Sequence, residues 1–283
     1  MKTILVPYDF SKEANYAFEF AIELAKRTKN KLELLHIIEL PSPQSFSSYG
    51  EVGAFSSESS QIFMIELIEK RKKQMAAMED EFKDDDFKFE TKMVFGNPFA
   101  GISKEIIDAK ADIVIMGSKG SSGMEEVLVG SNTEKVVRHA SCPVITIKGP
   151  VSADSIRKVI FASDFGSVPS EVIDRLKAAI NTIDAELHLV KINTPSMFES
   201  TRTSMEKMKT FAEDFEINAA SMQVYNSTSE EEGILEFADD VNADMIAMAT
   251  HGRTGFLHLL SGSIAEDVVN AAQRPVWTMK SKK

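Results

Sequence analysis

Apolar positions along this chain follow two alternating patterns: short continuous runs, and longer segments in which they recur every three to four residues. The first run, residues 2–7, predicts a buried strand. Ala14, Ala17, Phe18, Ala21, Ile22 and Ala25 then follow at helical spacing, with Ser11 placed to cap the helix. Residues 32–38 predict a second strand, 61–82 a long helix, 87–95 an alternating strand, 98–109 a helix opened by Pro98, and 112–116 a fourth strand. A helix over 132–139 and a strand over 143–147 complete the first half. Strands alternating with helices predict an α/β fold with a mainly parallel, doubly wound sheet.

The second half replays this order. It has strands at 158–163, 185–192, 219–225, 244–249 and 275–279, with helices near 169–181, 204–215 and 230–241. Residues 111–148 align without a gap on 243–280, and 16 of the 38 positions are identical, so the chain holds two copies of one unit. The expected domains are residues 1–149 and 156–283, each a five-stranded sheet flanked by helices and each large enough for its own core. Residues 149–155, with Gly, Pro and small polar side chains, read as the linker. Residues 39–60 form one long irregular, serine-rich segment. It reads as a disordered connection ahead of a functional cover, and the second half offers only a shorter loop, about 193–203.

Charge narrows the function. With 43 acidic against 32 basic residues, the formal net charge is −11, which argues against sequence-independent binding to nucleic acid or to an anionic membrane surface. A small anion can still bind locally. The single cysteine, Cys142, cannot form an internal disulfide. No apolar run approaches the roughly 20 residues that span a bilayer, and residues 1–2 lead straight into the first strand pattern, so the expected compartment is the cytoplasm.

In open parallel sheets, ligands bind beyond the carboxyl ends of the strands where strand order reverses. Pro7-Tyr8-Asp9 ends the first strand, and Ala162-Ser163-Asp164 is its counterpart. Such an aspartate either accepts hydrogen bonds from a ligand or caps the next helix. Gly117-Ser118-Lys119-Gly120 leaves the fourth strand, and after nine more residues Gly130-Ser131 opens a helix. Gly120, Gly130 and Ser131 recur as Gly252, Gly262 and Ser263. Glycines let several backbone N–H groups converge, and a helix N-terminus adds partial positive charge, which together suit phosphate oxygens. The hydroxyls of Ser131, Ser118 and Thr133 are further candidate donors; the alternative is two structural turns with a serine N-cap. No Gly-Lys-Ser/Thr triplet, G-x-G-x-x-G fingerprint or G-x-S-x-G elbow is present, and the five histidines form no recognisable nucleophile signature with Cys142.

With these residues in place, the chain resembles the universal stress protein family in its tandem, two-domain form. That family's motif, G-x-x-G, nine residues, then G-[ST], after a strand and with an aspartate ending the first strand, is matched by Gly117, Gly120, Gly130, Ser131 and Asp9. The resemblance covers nearly the whole chain, including Leu35-His36-Ile37-Ile38 and Ser141-Cys142-Pro143-Val144. It implies an adenine nucleotide alpha hydrolase-like fold and binding of ATP, ADP or AMP. Asp9 and the backbone around Ile37 or Ile38 would meet the adenine end, with Pro7 on the pocket wall and Met116 and Gly117 along the ribose. Gly120, Gly130, Ser131 and Asn132 would hold phosphates, with Thr133 nearby. No side chain is assigned to a metal. Magnesium is the expected ion where one is bound, held mainly by phosphate and water. The second copy keeps Asp164, Gly252, Gly262 and Ser263 but has Ala249 for Gly117 and Ala162 for Pro7, so the first site is favoured and the second left open.

Other features read as structural. Asp84-Asp85-Asp86 suits a solvated connection, Met75 and Met78 suit core packing, His36 and His188 suit satisfied core positions, and Cys142 suits an inert buried thiol. The leading expectation is a stress-response sensor or regulator that binds an adenine nucleotide and acts through conformation and association, with no catalytic residue assigned. The resemblance further implies an intramolecular pseudo-dimer of the two domains, and the chain is expected to form a homodimer. Two rivals remain: a slow ATPase or phosphotransferase, and a nucleotide-free scaffold acting through protein–protein contacts.

Overall fold

The apolar runs of both halves become the strands of one sheet. The computed structural model describes residues 2–39, 58–118, 130–166, 168–251 and 264–281. The first half runs β1 (Thr3–Pro7), α1 (Lys12–Thr28), β2 (Lys31–Ile38), α2 (Glu58–Phe82), β3 (Phe89–Phe95), α3 (Pro98–Asp108), β4 (Ile113–Gly117), α4 (Ser131–His139) and β5 (Val144–Ile147). The second runs β6 (Lys158–Ala162), α5 (Ser170–Ile183), β7 (Glu186–Asn193), α6 (Thr201–Asp214), β8 (Ser221–Asn226), α7 (Glu230–Asp240), β9 (Met245–His251), α8 (Ile264–Ala271) and β10 (Val276–Ser281).

Most expected elements appear within a few residues of their expected bounds. Two differ in kind. The helix α8, absent from the residue-pattern reading of the second half, fills the place of α4 in the repeat, and Ala153–Ser155 of the linker forms a 3-10 turn. The long helix α2 also begins earlier than expected, at Glu58; the rest of the irregular segment, from residue 40 to 57, lies outside the described residues.

Strand order is β3-β2-β1-β4-β5-β10-β9-β6-β7-β8, a sequence that reads the same from either end once the halves are matched. Every pairing is parallel except the central one, where β5 and β10 run antiparallel with Val276 opposite Thr146 and Thr278 opposite Val144. The two threonines occupy equivalent repeat positions and reach across reciprocally, Thr146 Oγ1 toward the Val276 carbonyl and Thr278 Oγ1 toward that of Val144, each at 3.4 Å. Each last strand thereby covers an edge that would otherwise expose unpaired backbone groups.

Apolar side chains fill both faces. One face packs α1, α5 and α6 through Phe18, Phe20, Leu24, Leu176, Ile180 and Phe211; the other packs α3, α4, α7 and α8. Both layers cross the join between halves. Arg138 on α4 pairs with Glu266 on α8, its Nε 2.6 Å from Oε1, and Glu23 Oε2 accepts from the Ser152 hydroxyl at 2.7 Å and the Ala153 amide at 2.5 Å. Asp112 and Asp244, identical in the repeat, each accept backbone N–H groups at the start of the neighbouring first strand, Thr3 at 3.2 Å and Lys158 at 2.9 Å. Among the described residues, no helix is long and apolar enough to cross a membrane.

Candidate functional site

From β1 the chain moves outward to β2 and β3, then returns to the other side of β1 as β4 and β5. The carboxyl ends of β1 and β4 therefore flank the point where strand order reverses. Pro7 ends β1, Ile37 and Ile38 end β2, Met116 and Gly117 end β4, and Gly130–Thr133 start α4, so these candidate residues gather at one end of the first half. Gly120 lies outside the described residues.

The β1–α1 turn is held by several bonds. Tyr8 N donates to the Leu35 carbonyl at 2.8 Å, and the Tyr8 carbonyl accepts from His36 Nδ1 at 2.7 Å. Asp9 Oδ1 accepts from Ser11 N at 2.9 Å, while Ser11 itself caps α1 by accepting from Ala14 N at 3.1 Å. The cap is thus the serine, and Asp9 shapes the turn before it. Phe10 sits in the left-handed region at φ 65°, a strained place for a bulky aromatic that costs on the order of 1–3 kcal/mol. Its counterpart Phe165 has φ 54°. The repeated Asp-Phe dipeptide was the only sequence signal for this feature. Burial lowers the His36 pKa and raises that of Tyr8, so both rings are neutral near pH 7.

Gly117 meets the first turn of α1. A Cβ there would stand 2.8 Å from the Glu13 carbonyl carbon and 2.9 Å from Ala14 N, so the close approach of two backbones requires glycine. Beyond it, Ser118 N donates to the Ile147 carbonyl at 2.9 Å, and Gly130 N returns to the Ser118 carbonyl at 2.7 Å. Gly130, not Ser131, is the N-cap of α4, and among the described residues no side chain caps that helix. Ser131 is exposed at its first position and Asn132 half-buried. Thr133 is only 3% exposed, and its hydroxyl donates to the Gly117 carbonyl at 3.0 Å, tying α4 to β4. Ser118 is 1% exposed, and its buried Oγ has no hydrogen-bond partner among the described residues. A helix start without a side-chain cap beside an orphaned hydroxyl fits an anionic ligand.

The end of β2 contributes backbone more than side chain. The Ile38 carbonyl accepts from Gly96 N at 3.0 Å, and the Ile37 side chain packs toward α3, where a Cβ on Gly101 would come within 2.7 Å of it.

A model of the universal stress protein family matches residues 1–148 and again 155–280. The chain belongs to the universal stress protein family. A universal stress protein from Staphylococcus saprophyticus is 31% identical over 167 residues, 59% of this chain and 95% of that protein. One from Staphylococcus aureus is 34% identical over 148 residues, 52% of this chain and 84% of the relative. Among solved structures, a universal stress protein from Archaeoglobus fulgidus superposes with a TM-score of 0.74 at 20% identity, covering 98% of each chain. Another, from Pseudomonas aeruginosa, gives 0.71 at 17% identity over 99% of this chain and 94% of that one. These two likenesses establish the fold across both halves.

The second half of this universal stress protein is built differently at the same end. Asp164 is exposed and accepts from Gly166 N at 3.0 Å. Counted from the paired aspartates, α5 starts three residues later than α1, so the first helical turn that crowds Gly117 has no helical counterpart beside Ala249. At the end of β7, Lys191 Nζ lies 2.6 Å from Glu199, which also contacts Lys207 and accepts from the Ser204 hydroxyl at 2.9 Å. Lys191, Lys207 and Ser204 together hold the Glu199 carboxyl down to about 2. Asn193 Oδ1 accepts from Glu199 N at 2.9 Å, so the strand end that corresponds to Ile37–Ile38 is engaged by the chain's own residues 193–199. Gly252, Gly262 and Ser263 lie outside the described residues.

His36 is the satisfied buried histidine the sequence suggested. His188 is not fully so. Its Nδ1 meets Ser221 Oγ at 2.8 Å, but among the described residues its buried Nε2 has no hydrogen bond and stands 3.7 Å from Glu186. Cys142 is buried.

Proposed function

We propose that the first half, residues 1–149, binds ATP or a related adenine nucleotide at the β1–β4 crossover, and that the tandem chain signals occupancy through conformation and association rather than turnover. The observation that carries this reading is the start of α4: an N-terminus with no side-chain cap among the described residues, its Gly130 amide bonded to the Ser118 carbonyl just past β4, beside a Ser118 hydroxyl with no partner among those residues. Gly130, Ser131 and Asn132 would hold phosphate there, Met116 and Gly117 would line the ribose side, and Asp9 and the β2 end would meet the base. Magnesium, where present, would neutralise phosphate charge. The second half, residues 156–283, is expected to contribute no site, because Glu199 and its lysines engage the end of β7. A cytoplasmic, stress-responsive role and self-association to a homodimer belong to the same proposal.

The test is calorimetric titration of ATP with magnesium into nucleotide-stripped protein, alongside Asp9→Ala. One site per chain, weakened at least about tenfold in the variant by loss of a charge-assisted hydrogen bond, is the expected result. Two sites would remove the asymmetry between halves. No heat, with no competition by AMP, would replace the nucleotide reading with the scaffold. Sustained phosphate release that disappears in Gly130→Ala would establish turnover instead. A solution mass of 31.3 kDa at high protein concentration would remove the homodimer.

A further inference from the structure

The strained phenylalanine next to the candidate aspartate is held differently in the two halves. Phe165 is packed by Phe161 and Phe211, with ring centroids 6.2 and 5.1 Å away, and among the described residues no cation lies over it. Phe10 instead meets Tyr8 at 4.8 Å and His36 at 4.9 Å, both edge-on, and the Arg71 guanidinium carbon stands 4.0 Å from its ring centre. Arg71 is steadied on α2 by Gln74, whose Oε1 accepts from Nη1 at 3.0 Å. A planar guanidinium over an aromatic face combines stacking with cation–π attraction, which a lysine reproduces only in part.

Phe10 lies between Asp9 and Ser11, so its left-handed backbone brings Ser11 N to the Asp9 carboxylate, which that bond orients. We infer that Arg71 is a positioning residue for the nucleotide site: by clamping the Phe10 ring from α2, it holds the β1–α1 turn in its left-handed form and sets Asp9 to face the base. The inference rests on the nucleotide reading above. Arg71 acts through Phe10, and among the described residues the clamp occurs only in the half whose glycine signature is complete. The neutral states of Tyr8 and His36 leave Arg71 as the permanent cation of this box.

The experiment measures ATP and adenosine affinity for the unaltered chain, Arg71→Met and Arg71→Lys, with urea midpoints for all three. Methionine covers the ring and favours helix but carries no charge. The expected result is a loss of about threefold to tenfold in Arg71→Met for ATP and adenosine alike, the range of one cation–π contact, with partial recovery in Arg71→Lys. The urea midpoint should stay that of the parent. Binding unchanged in Arg71→Met overturns this inference and leaves the nucleotide site standing. A loss confined to ATP also overturns it, because the guanidinium would then act on phosphate charge and not through Asp9. A loss that follows a lowered midpoint makes Arg71 structural only. An unaltered chain that binds neither ligand overturns the nucleotide reading and this inference with it.

Discussion

Replacing Gly117 by alanine separates packing from ligand chemistry at the position where the two halves differ. The added Cβ would lie 2.8 Å from the Glu13 carbonyl carbon, 2.9 Å from Ala14 N and 3.0 Å from the Glu13 Cβ. Carbon contacts relax near about 3.5–4.0 Å, so the first turn of α1 must retreat by about 0.5 Å or more. The obstructing atoms are mostly backbone, and no side-chain rotation relieves them. The retreat also strains the Ser11 cap and the packing of Ala14 and Ala17. Overpacking of this kind costs about 1–3 kcal/mol. Alanine recovers roughly 0.4–1 kcal/mol by restricting the unfolded chain, which leaves a net loss centred on about 1.3 kcal/mol. Urea unfolding followed by far-UV circular dichroism, without nucleotide, should show a lower midpoint at an unchanged slope. The reciprocal Ala249→Gly, where no helical turn presses on the site, should lose only about 0.4–1 kcal/mol through the unfolded state. A Gly117→Ala midpoint equal to or above the parent's would refute the reasoning, because the clash would then be relieved at no cost and the glycine would have to be explained by ligand approach alone.

Two further expectations concern buried polar groups in the first half. Thr133→Val keeps the shape of the side chain but leaves the buried Gly117 carbonyl without its donor, so stability should fall by about 1–3 kcal/mol; an unchanged urea midpoint would mean that α4 is not tied to β4 through this bond. Glu33, 4% exposed, lies on β2 beside Lys31 and near Glu105 of α3, and burial, assisted by Glu105 and opposed by Lys31, raises its carboxyl above the ordinary 4.5. Between 4.5 and that raised value the folded chain keeps a proton the unfolded chain has released, so this contribution to stability falls as pH rises. Glu33→Gln should flatten the decline in urea midpoint above pH 4.5 relative to the parent, and parallel curves would count against the account.

The α/β architecture was legible because its signals are periodic: buried parallel strands read as continuous apolar runs and their helices as 3.6-residue stripes. The gapless repeat carried the twofold plan, while the pairing of the two halves was implied by the family resemblance and not by the repeat itself. Ser11 was legible as a cap because its spacing to the first apolar helical residue is local. Functional detail was less legible where it depends on what a residue touches across the fold. Gly117 reads as a ligand glycine in sequence, yet the structure adds a neighbouring helix that forbids a Cβ. Thr133 reads as a phosphate donor, yet its hydroxyl is spent on a carbonyl sixteen positions away. Arg71 lies on a helix far along the chain from Phe10, and no spacing rule connects the two. The missing α8 has a different cause: residues 264–271 were legible through the repeat but not named from their own pattern.

The antiparallel meeting of β5 and β10 also removes protein concentration from the problem. Two separate single-domain subunits joined through such strands would part on dilution, and each would carry the same site. Here a linker of a few residues makes the encounter intramolecular, at an effective concentration of roughly millimolar, so the paired state persists however little of the protein is present. The fusion also lifts the demand for symmetry. One half can accept an Ala249 and a Glu199 network at its strand ends while the other keeps its glycines, within one continuous sheet.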